Sequence, residues 1–227
     1  PAAGYGHVRD SDPVAAGVSA PGFACFDVET TGLDPGLARV IEVAVVRISP
    51  TGEVVGEWTT LVDAGIREFG ASQRIHGIQP GWLDSAPTFT EIAGDLAEEL
   101  FGFVPVAHNA SFDVGFLEAE WNRLDYDCGP MALTALDTLT IARREGLPGR
   151  LGLLAEALEV AMGEAHQALD DSRTLAGVVT AFIERGIALH GDDQQDGRVQ
   201  AYQGTLLRPE PSGRTALRPG SGQATGG

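Results

Sequence analysis

Apolar and polar positions alternate along the chain in a way that sorts it into strands first and helices later. Phe23-Ala24-Cys25-Phe26 is an apolar run that predicts a buried strand. Val40 to Ile48 is β-branched and apolar and predicts a second strand. A turn at Ser49-Pro50-Thr51-Gly52 leads into a third over Val54 to Val62. Three strands joined by short links predict an antiparallel meander. Ala71 to Ser85 reads as a short irregular or helical passage. Thr88 with Glu91 forms a capping-box pattern that opens a helix to Leu100, with Phe89, Ile92, Ala93, Leu96 and Leu100 on one face. Phe103 to Ala107 is a strand by composition, and Pro105 places it near a strand start or at an edge.

The second half is mostly helical in pattern. Ser111 to Leu124 predicts a helix capped by Ser111. Met131 to Leu136 is a candidate strand, and Asp137 to Glu145 a helix. Gly146-Leu147-Pro148-Gly149 is a break, and helices follow over Leu151–Val160 and Ala165–Arg185. No internal repeat is evident. The order predicts one α/β domain over 22–186 with a mixed sheet flanked by helices. Residues 1–21, small and Gly/Ala-rich, read as a flexible arm. Residues 187–227, rich in Gly, Gln and Pro, read as a disordered tail.

Composition narrows the function classes. The 227 residues carry 15 arginines against 32 acidic groups, a formal charge of -17, and no lysine. General nucleic-acid coating, which rests on neutralising phosphates with basic groups, is therefore excluded, and so is chemistry that needs a lysine. Binding of a strand end through metals is not. Cys25 and Cys128 are the only cysteines, in no metal-ligand spacing, and read as unpaired thiols of a reducing, cytoplasmic setting. No run approaches the about 18 apolar residues of a membrane span. The first residues lack a basic start followed by an apolar stretch, so no signal peptide is expected.

Three short stations carry candidate chemistry. The first is Asp27-Val28-Glu29-Thr30-Thr31-Gly32, directly after the first strand. Asp27 and Glu29, two apart on an extended segment, point to one face. Two carboxylates at a buried strand end repel unless neutralised, and hard oxygen ligands suit magnesium or manganese. The second is His108-Asn109-Ala110-Ser111-Phe112-Asp113, which sets Asp113 in the first turn of a helix. The third is His166-Gln167-Ala168-Leu169-Asp170-Asp171, where His166 and Asp171 can meet at a helix mouth. Taken singly, each also fits a plain structural role: surface acids, a first-turn aspartate, a surface or core histidine.

Together, in this order, Asp27, Glu29, Asp113, His166 and Asp171 resemble the signature of the DEDDh exonucleases, in the DnaQ-like branch of the ribonuclease H-like superfamily. The resemblance runs from about Phe23 to Ile183 and takes in the Ile75-His76-Gly77-Ile78 passage and Asp137-Thr138-Leu139. It implies a ribonuclease H-like fold and a 3′→5′ exonuclease that releases nucleoside monophosphates. Two ions of magnesium or manganese would be held by Asp27, Glu29, Asp113 and Asp171, with His166 as general base, since an imidazole pKa of about 6.5 suits that work. The resemblance also implies a pocket for the terminal nucleotide from Thr30, Thr31 and Leu33. His76 is a candidate substrate contact, or else a packing histidine, and His108, Asn109 and Phe112 would shape the site. Arg39, Arg74 and Arg173 are candidate phosphate contacts. The expected partner is the 3′ end of single-stranded nucleic acid, DNA in the first reading, with a DNA polymerase as possible protein partner and no membrane. An RNA-trimming relative, and a non-catalytic binding module on the same fold, are the alternatives.

Overall fold

The computed structural model describes residues 22–124, 133–189, 202 and 211–219. The meander forms as expected: β1 (Phe23–Thr30), β2 (Val40–Ile48) and β3 (Val54–Leu61) pair antiparallel in series. β4 (Val104–Ala107) and the short β5 (Leu136–Asp137) add in parallel, giving a mixed sheet in the order β3-β2-β1-β4-β5. β4 is therefore interior. Its proline is tolerated because Val104 N–H donates to Gly22 on the β1 side, which turns Pro105 toward β5, and β5 pairs only from Val106 onward.

One face of the sheet is covered by α2 (Phe89–Leu100) and α3 (Ala110–Asn122). Phe26, Val28, Val43 and Val45 meet Phe89, Ile92, Leu96, Phe116 and Leu117 there. The Thr88 N–H donates to Glu91 Oε2 at 2.8 Å, closing the expected capping box of α2. The opposite face is covered by α6 (Ala168–Glu184), whose Leu175, Ala176 and Val179 pack on Cys25, Val46 and Val106. α4 (Thr138–Arg144) and α5 (Leu151–Ala157) fill in behind α6. The passage before α2 holds α1 (Gln73–His76) and a 3₁₀ turn over Pro80–Ser85.

Three expectations are corrected. Ser111 does not cap α3: it lies inside the first turn, and Asn109 occupies the N-cap position, in the left-handed region at φ 67° and without a side-chain hydrogen bond to the helix. The strand expected over Met131–Leu136 is confined to Leu136–Asp137 among the described residues; Met131, like Cys128, lies outside them. The tail expected from residue 187 is ordered where it is described. Ile187 and Leu189 pack beside α5 and α6, Tyr202 exchanges main-chain hydrogen bonds with Gly102 and Phe103, and residues 211–219 bind α2 and β3. Main-chain hydrogen bonds and ion pairs hold these pieces, so their scarcity of large apolar groups does not prevent order. No helix among the described residues is long and apolar enough to cross a membrane.

Candidate active site

The site lies where β1 and β4 end side by side. Along β1, Cys25, Asp27 and Glu29 share the face that α6 covers, while Phe26 and Val28 face the other core. Parallel pairing to β4 stops at Cys25–Val106, and α3 rises from the end of β4. The Val28 N–H beyond that point donates to Asp113 Oδ1 at 3.2 Å, which seats the Asp113 carboxyl at the strand end. From the other face, the first turn of α6 brings Asp171. Its Oδ2 accepts the His166 N–H at 2.8 Å, folding the preceding loop back over the helix mouth. His166 sits there in the left-handed region, φ 65°.

Ligand atoms of Glu29, His166 and Asp171 lie within 4.8 Å of one another. Asp27 lies two residues before Glu29 on the same face of β1. Burial, followed by the charges of Asp113, Glu29 and Asp171, holds its carboxyl well above the usual carboxylate range. Burial and the neighbouring Glu42 push Glu29 up to about 9, although Arg218 opposes the shift. Burial pushes Asp113 up to about 7, against the hydrogen bond from Val28. Asp171 is raised as well, by burial first. Four converging carboxyl groups, each raised in pKa by burial first and then by neighbouring acids, are a donor set that hard divalent cations fit, because the cations would supply the missing positive charge.

The other expected residues fall around this centre. Thr30 is buried, and its hydroxyl donates to the Gly32 carbonyl at 2.6 Å. Thr31 Oγ1 accepts the Arg39 N–H at 3.0 Å. Leu33 is 81% exposed on the loop after β1. Asn109 is exposed, and its N–H is tied to Asp137 Oδ1 at 2.9 Å. Phe112 is half-buried, with its ring 4.9 Å from that of Phe116. His108 bonds Thr138 Oγ1 and the Gly149 carbonyl, at 2.9 and 3.0 Å, and so braces the floor. His76 is buried. Its Nδ1 accepts the Ile78 N–H at 3.0 Å, and burial, then Arg218 and His166, lowers it to about 4. Two of the arginines considered for phosphate are engaged with carboxylates: Arg39 bidentate on buried Glu120, and Arg173 on Glu57 and Asp170. Arg74 is exposed.

Two members escaped sequence reasoning. Glu42 faces Glu29 across the β1–β2 pair, and the hairpin register is the signal that could have found it. Arg218 arrives from the tail expected to be disordered, and nothing in the sequence pattern announces it.

A family profile described as exonuclease matches residues 24–179. The chain belongs to the exonuclease family. It is a DnaQ-like 3′→5′ exonuclease domain, and its five-strand mixed sheet flanked by helices has the ribonuclease H-like architecture. A PolC-type DNA polymerase III of Caldanaerobacter subterraneus is 31% identical over 185 residues, which are 78% of this chain and 13% of that polymerase. The chain thus spans about an eighth of that relative's length. Among solved structures, the nuclease domain of 3′hExo, a DEDDh family member bound to rAMP, superimposes with a TM-score of 0.65 at 20% identity over 75% of this chain and 96% of that one. The zinc-bound complex of E. coli exonuclease I with single-stranded DNA does so with a TM-score of 0.62 at 20% identity, over 72% and 40%. At these identities the structures share the exonuclease fold.

Proposed function

We propose that this domain removes nucleoside monophosphates from the 3′ end of single-stranded DNA, in the proofreading manner of a polymerase-associated exonuclease. The observation that carries the reading is the approach of Glu29, His166 and Asp171 ligand atoms to within 4.8 Å beside the crowded carboxyls of Asp27 and Asp113. Asp27, Glu29, Asp113 and Asp171 would hold two magnesium or manganese ions. When bound, such ions supply Lewis-acid activation of water and neutralise charge on the phosphate. His166, exposed at the helix mouth, accepts the proton of the attacking water. Thr30 and Thr31 present the β1 end to the terminal nucleotide, with Asn109 and Phe112 on the α3 side, and Leu33 offers an apolar surface for the last base to stack on. His76 joins the rim of the site through its carbonyl, which accepts Arg218 Nη1 at 2.6 Å. The charge of -17 favours a short footprint on a strand end over extended binding.

The PolC relative favours DNA as the substrate and a polymerase as the partner. The test is a degradation ladder on matched 5′-labelled single-stranded DNA and RNA, with magnesium or with chelator, comparing the wild type with His166→Ala. Metal-dependent shortening from the 3′ end, faster on DNA and lost in the variant, is expected. Faster shortening of RNA would replace the substrate assignment. No shortening of either by a folded, metal-binding protein would overturn the catalytic one.

A further inference from the structure

Residues 211–219 lie outside the run that the exonuclease profile matches, yet they reach the active site. They are fastened in two places. On α2, Asp95 accepts the N–H groups of Ser212 and Gly213, each at 2.8 Å, and Arg214 pairs with Glu91. At the end of β3, the Ala216 carbonyl accepts the Leu61 N–H at 2.7 Å, and the Ala216 N–H donates to Thr60 Oγ1 at 2.9 Å. Two residues on, Arg218 turns inward, its side chain only 9% exposed.

All three guanidinium nitrogens of Arg218 find acceptors. Nε and Nη2 grip the two oxygens of Glu42, each at 2.7 Å. Nη1 donates to the His76 carbonyl at 2.6 Å and Nη2 to the His166 carbonyl at 3.1 Å. Glu42 closes the ring by accepting the Ala168 N–H, at the start of α6, at 3.1 Å. One side chain thus ties β2, the end of α1 and the loop before α6 together. The His166 residue is held on both sides, its N–H by Asp171 and its carbonyl by Arg218. That clamp matters because a non-glycine residue in the left-handed region is disfavoured and persists only where its surroundings over-determine it.

We infer that Arg218 is a positioning residue of the exonuclease site, and that segment 211–219 is a latch docked in cis which holds the His166 backbone so that its imidazole stays beside Glu29 and Asp171. The inference rests on the reading of His166 as the general base. Arginine suits the post because its planar fork meets a carboxylate and two carbonyls at once, which an ammonium cannot reproduce.

The test uses the full chain with Arg218→Ala, Arg218→Lys and Ala216→Pro, the last removing the N–H that binds Thr60. The first readout needs no turnover: the imidazole Cε1–Hε1 resonance of His166 in metal-free protein, with that of His108 as internal control. In Arg218→Ala the His166 signal should shift and broaden, that of His108 should not, and methylguanidinium should restore it. The second readout is kinetic. Turnover should fall on the order of 10–100-fold, as for a slightly misplaced catalytic group, with KM changed less than about threefold. Methylguanidinium should recover part of the loss, Arg218→Lys should remain impaired, and Ala216→Pro should reproduce the defect. An unchanged His166 resonance overturns the latch, and so does a loss of turnover with no resonance change and no rescue. Should Arg218→Ala fail to fold, the lysine and proline variants decide by the same readouts. Should the wild type show no metal-dependent shortening, the exonuclease reading fails while the resonance still decides the latch.

Discussion

Asp27 concentrates the conflict on which the site is built. It is buried among acids that all raise its pKa, so the metal-free protein carries local repulsion there. Asp27→Asn should lose turnover by several orders of magnitude in the strand-end assay. It should also melt higher than the wild type without metal, by about 2–4 °C for each kcal/mol of repulsion relieved. A variant that keeps near-normal turnover would remove Asp27 from the centre. Leu33 makes the complementary case. It is exposed and apolar beside the site, and Leu33→Ala should raise KM about tenfold with little change in turnover, since stacking on a base is worth about 1–3 kcal/mol. Equal KM values would show that the base does not rest there. The shared face of Asp27 and Glu29 was legible because two acids two apart on a strand must point the same way. The αL cap at Asn109 was not, because its backbone angle is set by the link from its N–H to Asp137, far along the chain.

At the scale of elements, the sheet was the most legible part. Long β-branched runs and a Pro-Thr-Gly turn leave β2 and β3 little choice. β5 was the least legible, since two residues give no periodicity to read. The loop between β1 and β2 owes its shape to an ion pair that pattern alone does not reveal. Buried Glu120 on α3 accepts Nε and Nη2 of Arg39 and the Val40 N–H, the last at 3.0 Å. Glu120→Ala should lower stability by about 2–3 kcal/mol, less than the full cost of breaking a buried pair, because Arg39 is 31% exposed and can turn to water. Chemical denaturation measures this directly, and a loss below about 0.5 kcal/mol would mean that the pair contributes no more than a surface bridge does. The tail is the element that composition misrepresents. Low hydrophobic content gave no sign of docking, because the docking uses main-chain donors, Asp95, Thr60 and Glu42 in place of an apolar stripe.

For the whole molecule, the raised carboxyl groups set a direction for stability against pH. A group whose folded pKa exceeds its unfolded value stabilises the fold fully below the unfolded value and loses that contribution as pH rises through the folded one. For Asp113 and Glu29 the loss runs through about 7 and about 9. Metal-free protein should therefore melt progressively lower from pH 6.5 to 9.5, and millimolar magnesium should flatten the slope by binding the folded carboxylates only. Parallel melting curves with and without the metal would remove the carboxyl cluster as the cause. A different consequence follows from the left-handed backbone of His166. Glycine is the residue that this geometry suits, so a library randomised at position 166 and sorted for heat resistance should converge on glycine, while the same library sorted for nuclease activity should return histidine. Selection for durability and selection for work would pull this one position apart, and each generation kept only for its melting temperature would drift toward a sturdier, inert fold.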